Sequence, residues 1–299
     1  MRICCRRNEV IATEQEKIAI LTDSGTDVPQ EYIDRFGMYV LPLIVNYHDG
    51  SYRDKLEITS DEVASRLAVE IPKTSLPSPG EIEDAFARIK ADGYNKVLAV
   101  TISSGLSGTC NSIRIVSELF PEMETLVVDT KNIGIGAGLA AISAGELISQ
   151  GLPFRTIYRR LCDAVNNSAV FFCVNTLEYL EKGGRIGHVA AALGRVLNLK
   201  PIITCNKEGI YTTAAKVRGR AESLIKTLDL AKAFAARYDK CMVAVAEGAA
   251  KEEAARLFQK AAGSAFPNAE RLLSGQISPA LVVHTGPGLI GIGVQKVVF

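Results

Sequence analysis

The strongest constraint on this chain is the stretch Lys96-Val97-Leu98-Ala99-Val100-Thr101-Ile102-Ser103-Ser104-Gly105-Leu106-Ser107-Gly108-Thr109. Its first half is a β-branched apolar run preceded by Asp92-Gly93, the pattern of a buried strand. Its second half is a serine- and glycine-rich loop, after which Cys110 to Leu119 reads as helix. A glycine- and serine-rich turn from strand into helix lets the backbone approach a ligand and points free N–H groups at it. Such a turn suits an anion, and the hydroxyls of Ser104, Ser107 and Thr109 are further donors. The loop holds no Lys, Arg or metal ligand, so a carboxylate fits it as well as a phosphate does. Ser107 or Thr109 is equally suited to a plain helix cap, and the local pattern leaves both readings open.

A second strand, polar loop and helix unit starts at Lys17 and passes through Asp23-Ser24-Gly25-Thr26-Asp27, with Pro29 near the helix start. Asp23 and Ser24 then stand at the carboxyl end of a parallel strand, where α/β sheets gather ligand-binding residues. An Asx turn formed by Ser24 and Asp27 fits the same residues. Met38 to Tyr47 predicts another strand, turning at Asp49-Gly50. Thr59 to Glu62 caps a helix, and Ser78 with Glu81 forms a capping box for the next. That box leaves Thr74 and Ser75 of the extended Thr74-Ser75-Leu76-Pro77-Ser78 segment free for a ligand. Thr125 to Asp129 is a strand feeding a helix of small residues, Gly134 to Ser149. The alternation predicts an α/β fold with a parallel, doubly covered sheet.

Beyond about residue 160 the pattern becomes α+β. It predicts a strand at Ala169–Val174 and an antiparallel hairpin of Lys200–Cys205 with Ile210–Arg218 around Asn206–Gly209. A helix from Ala221 to Tyr238, a strand from Cys241 to Glu247 and a helix from Ala250 to Ala262 follow. Two closing strands, Ala280–Val283 and Leu289–Val298, flank His284-Thr285-Gly286-Pro287-Gly288. His284 reads either as a core histidine with a backbone partner or as a cleft-facing donor to a carboxylate.

A length of 299 residues favours two domains, divided here as 17–160 and 161–299, after a disordered extension over residues 1–16. The 34 basic residues balance the 33 acidic ones, so no nucleic acid partner is expected. Seven cysteines without a CxxC or zinc spacing fit a reducing cytoplasm and no metal site. No secretory signal and no membrane-spanning window is read from the chain.

Eight segments, in order, resemble the DegV family, and within it the fatty-acid-binding subunits of bacterial fatty acid kinase. They are Thr22-Asp23-Ser24, Thr74 to Ser78, Ile102 to Thr109, Val128 to Lys131, Leu177 to Ile186, Leu199 to Ile202, Val217-Arg218 and His284 to Gly288. The resemblance implies an N-terminal parallel-sheet domain and a C-terminal α+β domain with a lipid tunnel between them. It implies a fatty-acid carboxylate held by Thr74, Ser107 and His284; Ser24, Ser75 and Ser104, read from their loop positions, are candidates for additional ligand contacts. It implies a carrier that is not itself an enzyme. A carboxylate held by hydroxyls, backbone N–H groups and one imidazole needs no cofactor. The cysteine usage places the carrier in the cytoplasm, and transient contact with a membrane surface is compatible with it. A separate kinase would phosphorylate the bound fatty acid for phospholipid synthesis, docking against Arg185 and Arg218. The alternative from a different class is a hydrolase or phosphotransferase using a serine with His284, although no GxSxG elbow or P-loop is present. Two departures stand out within the matched region: Asp54-Lys55 replaces the more usual Asp-Gly, and Cys110 occupies a position often aromatic, which bears on chain-length preference.

Overall fold

The computed structural model describes residues 16–192 and 198–299. The expectation for residues 1–16 falls, apart from Glu16, outside the described residues. The N-terminal half contains β1 (Ile18–Asp23), α1 (Gln30–Phe36), β2 (Tyr39–Leu41), β3 (Ile44–Tyr47), β4 (Gly50–Arg53), α2 (Ser60–Arg66) and β5 (Lys73–Ser75). It continues with α3 (Pro79–Ala91), β6 (Lys96–Thr101), α4 (Thr109–Ser117), β7 (Glu124–Asp129) and α5 (Ile135–Ser149). Four strands form an all-parallel sheet in the order β2-β1-β6-β7, as the strand and helix alternation predicts. Both capping boxes are present, Thr59 with Glu62 at α2 and Ser78 with Glu81 at α3.

The segment Met38–Tyr47, expected as one strand, is two strands in different sheets. Pro42 interrupts it: proline has no N–H for a ladder and disfavours continuation within a sheet. β2 pairs with β1, whereas β3 joins β4 and β5 in a separate three-stranded antiparallel sheet. That small sheet is what presents Thr74 and Ser75 to the rest of the molecule.

The C-terminal half contains α6 (Phe154–Asn166), β8 (Ser168–Cys173), α7 (Glu178–Lys182), β9 (Leu199–Cys205), β10 (Tyr211–Arg218) and α8 (Arg220–Ala235). It closes with β11 (Cys241–Gly248), α9 (Lys251–Lys260), β12 (Ala269–Gln276), α10 (Pro279–Thr285) and β13 (Leu289–Lys296). Its mixed sheet runs β10-β9-β8-β13-β11-β12 and is antiparallel except for the β11–β12 pair. The β9–β10 hairpin is the one the turn Asn206–Gly209 predicts.

The run Ala280–Val283 is helix, not strand. Ser278 caps it through the Leu281 N–H and Pro279 stands at its first position, a start signal that outweighs the β-branched valines. β12 and α6 are not among the elements expected from the sequence. The buried stripe Phe154, Ile157, Leu161 and Ala164 at helical spacing is the signal that identifies α6.

α5 organises the whole. It packs against β1 and β6 on one side and β13 and β11 on the other, and Ile135 to Leu147 are all buried. A helix apolar on every side has no solvent face to present. Its small residues let both sheets come close: a side chain on Gly293 of β13 would begin 3.1 Å from the Gly136 Cα. One hydrophobic core therefore runs continuously from the parallel sheet through α5 into the mixed sheet.

Candidate functional site

Four non-adjacent elements meet around one cavity. β5 carries Thr74 and Ser75, the loop after β6 carries Leu106 and Ser107, the segment after α7 carries Arg185, and α10 carries Leu281 and His284. The cavity they line holds about 200 Å³ and opens to the surface. One wall is polar, formed by Thr74, Ser75, Ser107, Arg185 and His284, and the rest is apolar, including Leu43, Ile102 and Ile133. Ile133, Tyr211 and Leu281 also line a smaller inner chamber of about 30 Å³, whose far walls are Phe172, Ala246, Ile277 and Leu289. The two chambers share the Ile133, Tyr211 and Leu281 walls; the inner one is lined almost wholly by apolar side chains, and the polar groups belong to the outer one.

His284 sits in the last turn of α10, and its Nε2 lies 2.7 Å from Thr74 Oγ1. Burial first, and the Arg185 charge second, pushes the imidazole down from 6.5 to about 4. The ring is therefore neutral at pH 7, and one hydrogen bond with Thr74 orients both groups. With Nε2–H as donor, the Thr74 hydroxyl keeps its own proton for a ligand oxygen. The ring's other edge faces α7: a side chain on Gly183 would begin 2.2 Å from Nδ1, so only glycine leaves room for the imidazole.

The Ser107 hydroxyl is 2.9 Å from Thr109 Oγ1 and accepts weakly from the Thr109 N–H at 3.3 Å. It therefore lines the cavity and touches the start of α4, so the ligand and capping readings converge on the same residue. The loop owes its shape to Ser103, which sequence reasoning passed over. The Ser103 N–H donates to the Asn132 carbonyl, and its own carbonyl accepts from the Leu106 and Ser107 N–H groups. Its hydroxyl donates to the Gly209 carbonyl at 2.8 Å, pinning the loop to the β9–β10 turn of the other half. Nothing local in Ser103-Ser104 distinguishes the two serines, because Gly209 is supplied from 106 residues away.

The structure brings Thr74, Ser75, Ser107, Arg185 and His284 to one cavity and leaves Ser24, Ser104 and Arg218 off its walls. Ser24 is buried; its hydroxyl donates to Asp54 Oδ2 at 2.5 Å and accepts from the Leu43 N–H. Ser104 accepts from Lys131 Nζ at 3.0 Å and donates its N–H to Asp129. Burial raises the Asp129 carboxyl, but the Lys131 and Ser104 hydrogen bonds outweigh it and hold the group below its ordinary value. Ser75 is exposed at the rim, where it accepts from Asn46 Nδ2. Arg185 is half-buried at the cavity and donates to the Gly183 and Leu106 carbonyls, whereas Arg218 is exposed at the end of β10.

Behind the cavity lie three buried aspartates that sequence reasoning did not group. Burial pushes Asp23 up to about 7 even though Ile102 donates its N–H to Oδ2. Burial likewise raises Asp27 to about 6 against the opposing Lys55 ion pair, and it raises Asp54. Among the described residues no group of His, Cys, Asp and Glu is arranged to hold a metal ion. No helix there is long and apolar enough to cross a membrane.

A parallel sheet and a mixed sheet sharing one helix, with a cleft lined by both polar and apolar side chains, define an α/β fold of two sheets around one cavity. The chain belongs to the DegV family: the family model described as "Uncharacterised protein, DegV family" matches residues 17–297. A DegV domain-containing protein of Clostridium acetobutylicum is 40% identical over 281 residues, covering 94% of this chain and 99% of its own. One of Clostridium perfringens is 39% identical over 283 residues, covering 94% and 99%. Among solved structures, a fatty-acid-binding DegV family protein from Thermus thermophilus superposes with a TM-score of 0.88 at 33% identity, covering 94% of this chain and 99% of its own. A stearic-acid-binding protein from Eubacterium ventriosum gives 0.85 at 29% identity, covering 94% and 98%.

Proposed function

We propose that this protein is a carrier for a long-chain fatty acid. The observation that carries the reading is the cavity's lining: hydroxyls and a neutral imidazole beside apolar side chains, three of which also wall an apolar inner chamber. The fatty-acid-binding relatives of the same fold support it. The carboxylate accepts from the Thr74 and Ser107 hydroxyls, with His284 orienting Thr74 and the Arg185 charge nearby. Hydrogen bonds to an ionised group are the stronger kind, so two neutral donors suffice without a metal. The acyl chain packs against the apolar walls of the outer cavity, toward the inner chamber, each buried methylene contributing about 0.8 kcal/mol before the ordering cost of association. Ser107 is engaged with Thr109 and His284 with Thr74, an arrangement that favours holding a ligand over activating a serine for attack.

Mass spectrometry of an organic extract from the purified, denatured protein tests the reading. A fatty acid near one equivalent is expected. An empty extract, together with failure to take up labelled palmitate, would refute it.

The bound acid is presented to a separate kinase that forms the acyl phosphate, with the exposed Arg218 on the docking face. Arg218→Ala is expected to keep its fatty acid while acyl phosphate formation with the partner kinase falls at least tenfold. Full phosphorylation of the variant would remove Arg218 from the docking face. Arg185 is different, since it lines the cavity as well.

A further inference from the structure

We propose that Asp54 and Asp27 are positioning residues that set His284 at the head of the cavity by gripping the first turn of α10. Positioning matters because the fatty-acid reading places His284 beside the carboxylate, and the proposal rests on that reading.

α10 has seven residues, too short to hold its geometry without tertiary partners. Its leading N–H groups need acceptors, and its own cap is weak: Ser278 Oγ accepts from Leu281 at 3.4 Å. Two buried carboxylates supply what the cap does not. Asp27 Oδ1 accepts from the Ser278 N–H at 2.8 Å, and Asp54 Oδ1 accepts from the Ala280 N–H at 2.9 Å. His284 stands four residues after Ala280, one turn along the same face, so the grip at Ala280 sets the register of the imidazole.

The grip is itself braced. Asp54 Oδ2 accepts from Ser24, and Ser24 accepts from the N–H of Leu43, which lines the cavity. Lys55 Nζ lies 3.0 Å from Asp27 Oδ1 and supplies the counter-charge that two buried carboxylates require. Lys55 does so at φ 64°, a left-handed conformation unfavourable for lysine. The backbone strain is tolerated where the side chain neutralises Asp27.

The test uses the full chain, freed of lipid, with two readouts: the titration of the His284 ring followed by NMR, and palmitate affinity by calorimetry. The ring is assigned by its loss in His284→Ala. Asp54→Ala is expected to move the His284 midpoint from about 4 toward 6.5 as water reaches the ring, and to weaken palmitate binding at least tenfold. Asp54→Asn keeps an oxygen for Ala280 but cannot accept from Ser24, and is expected to shift both readouts less than Asp54→Ala does. Val243→Ala, a truncation in a core cluster that contains no α10 residue, is expected to lower stability without moving the midpoint. Should Asp54→Ala not fold, Ser24→Ala removes the brace alone and is expected to shift both readouts in the same direction by a smaller amount. An unmoved midpoint and unchanged affinity in the folded variants would overturn the positioning role. Failure of the unaltered protein to bind palmitate would instead overturn the fatty-acid reading, while the titration still judges the positioning.

Discussion

Replacing Ser107 and His284 together by alanine is expected to weaken fatty-acid binding by at least about 100-fold while leaving the fold intact. Each hydrogen bond to a charged group contributes about 1.5–3 kcal/mol, so losing two amounts to roughly 3–6 kcal/mol, or 10²–10⁴ in affinity. The Ser107 change removes a donor outright. The His284 change acts through Thr74, whose hydroxyl lies 2.7 Å from Nε2 and loses its orientation. Stability is spared because the loop backbone is held by Ser103 rather than by Ser107. Calorimetry with palmitate, beside circular dichroism, reads the two effects separately. Unchanged binding in a folded double variant would remove both residues from the carboxylate site.

Gly138→Ala is expected to destabilise the protein by about 1–3 kcal/mol, the usual range for overpacking a filled core. Helix propensity alone argues the opposite, since alanine is favoured over glycine within a helix by about 1 kcal/mol. The clash prevails because the new Cβ would lie 2.4 Å from the Thr26 carbonyl oxygen, a backbone atom. α5 cannot retreat, because the mixed sheet presses on its other side. Any shift of Thr26 passes directly to Asp27 and so to Ser278 at the start of α10. Gly80→Ala is the control: nothing lies within 4 Å of its Cβ, and no loss is expected there. Urea denaturation of both variants checks the contrast. Equal stability of Gly138→Ala and the unaltered protein would mean that α5 is packed more loosely than the structure indicates.

Both residues changed in the first experiment lie in motifs, yet only one of their two elements is legible from local sequence. The strand, loop and helix units around Asp23 and Ser103 are readable because β-branched runs, turn residues and caps act within a few positions. Thr59 with Glu62 and Ser78 with Glu81 form the boxes their spacing predicts. The helix carrying His284 reads as strand for an equally physical reason: Ala280-Leu281-Val282-Val283 is a short apolar run, which periodicity cannot assign. The deciding signal is the pair Ser278-Pro279 before it.

Sequence by itself determined the alternating units, the small-residue helix after β7, and the motifs that mark the family; that both sheets share this helix is a tertiary fact. Tertiary structure alone decided which polar groups face a ligand. Ser24 and Ser107 stand in similar loops after parallel strands, yet Asp54 and Leu43 engage the first while the second borders open space. Thr74 and His284 meet across 210 positions. Local rules reach only as far as one element and its caps, and a cavity is made where elements distant in the chain fail to fill the space between them.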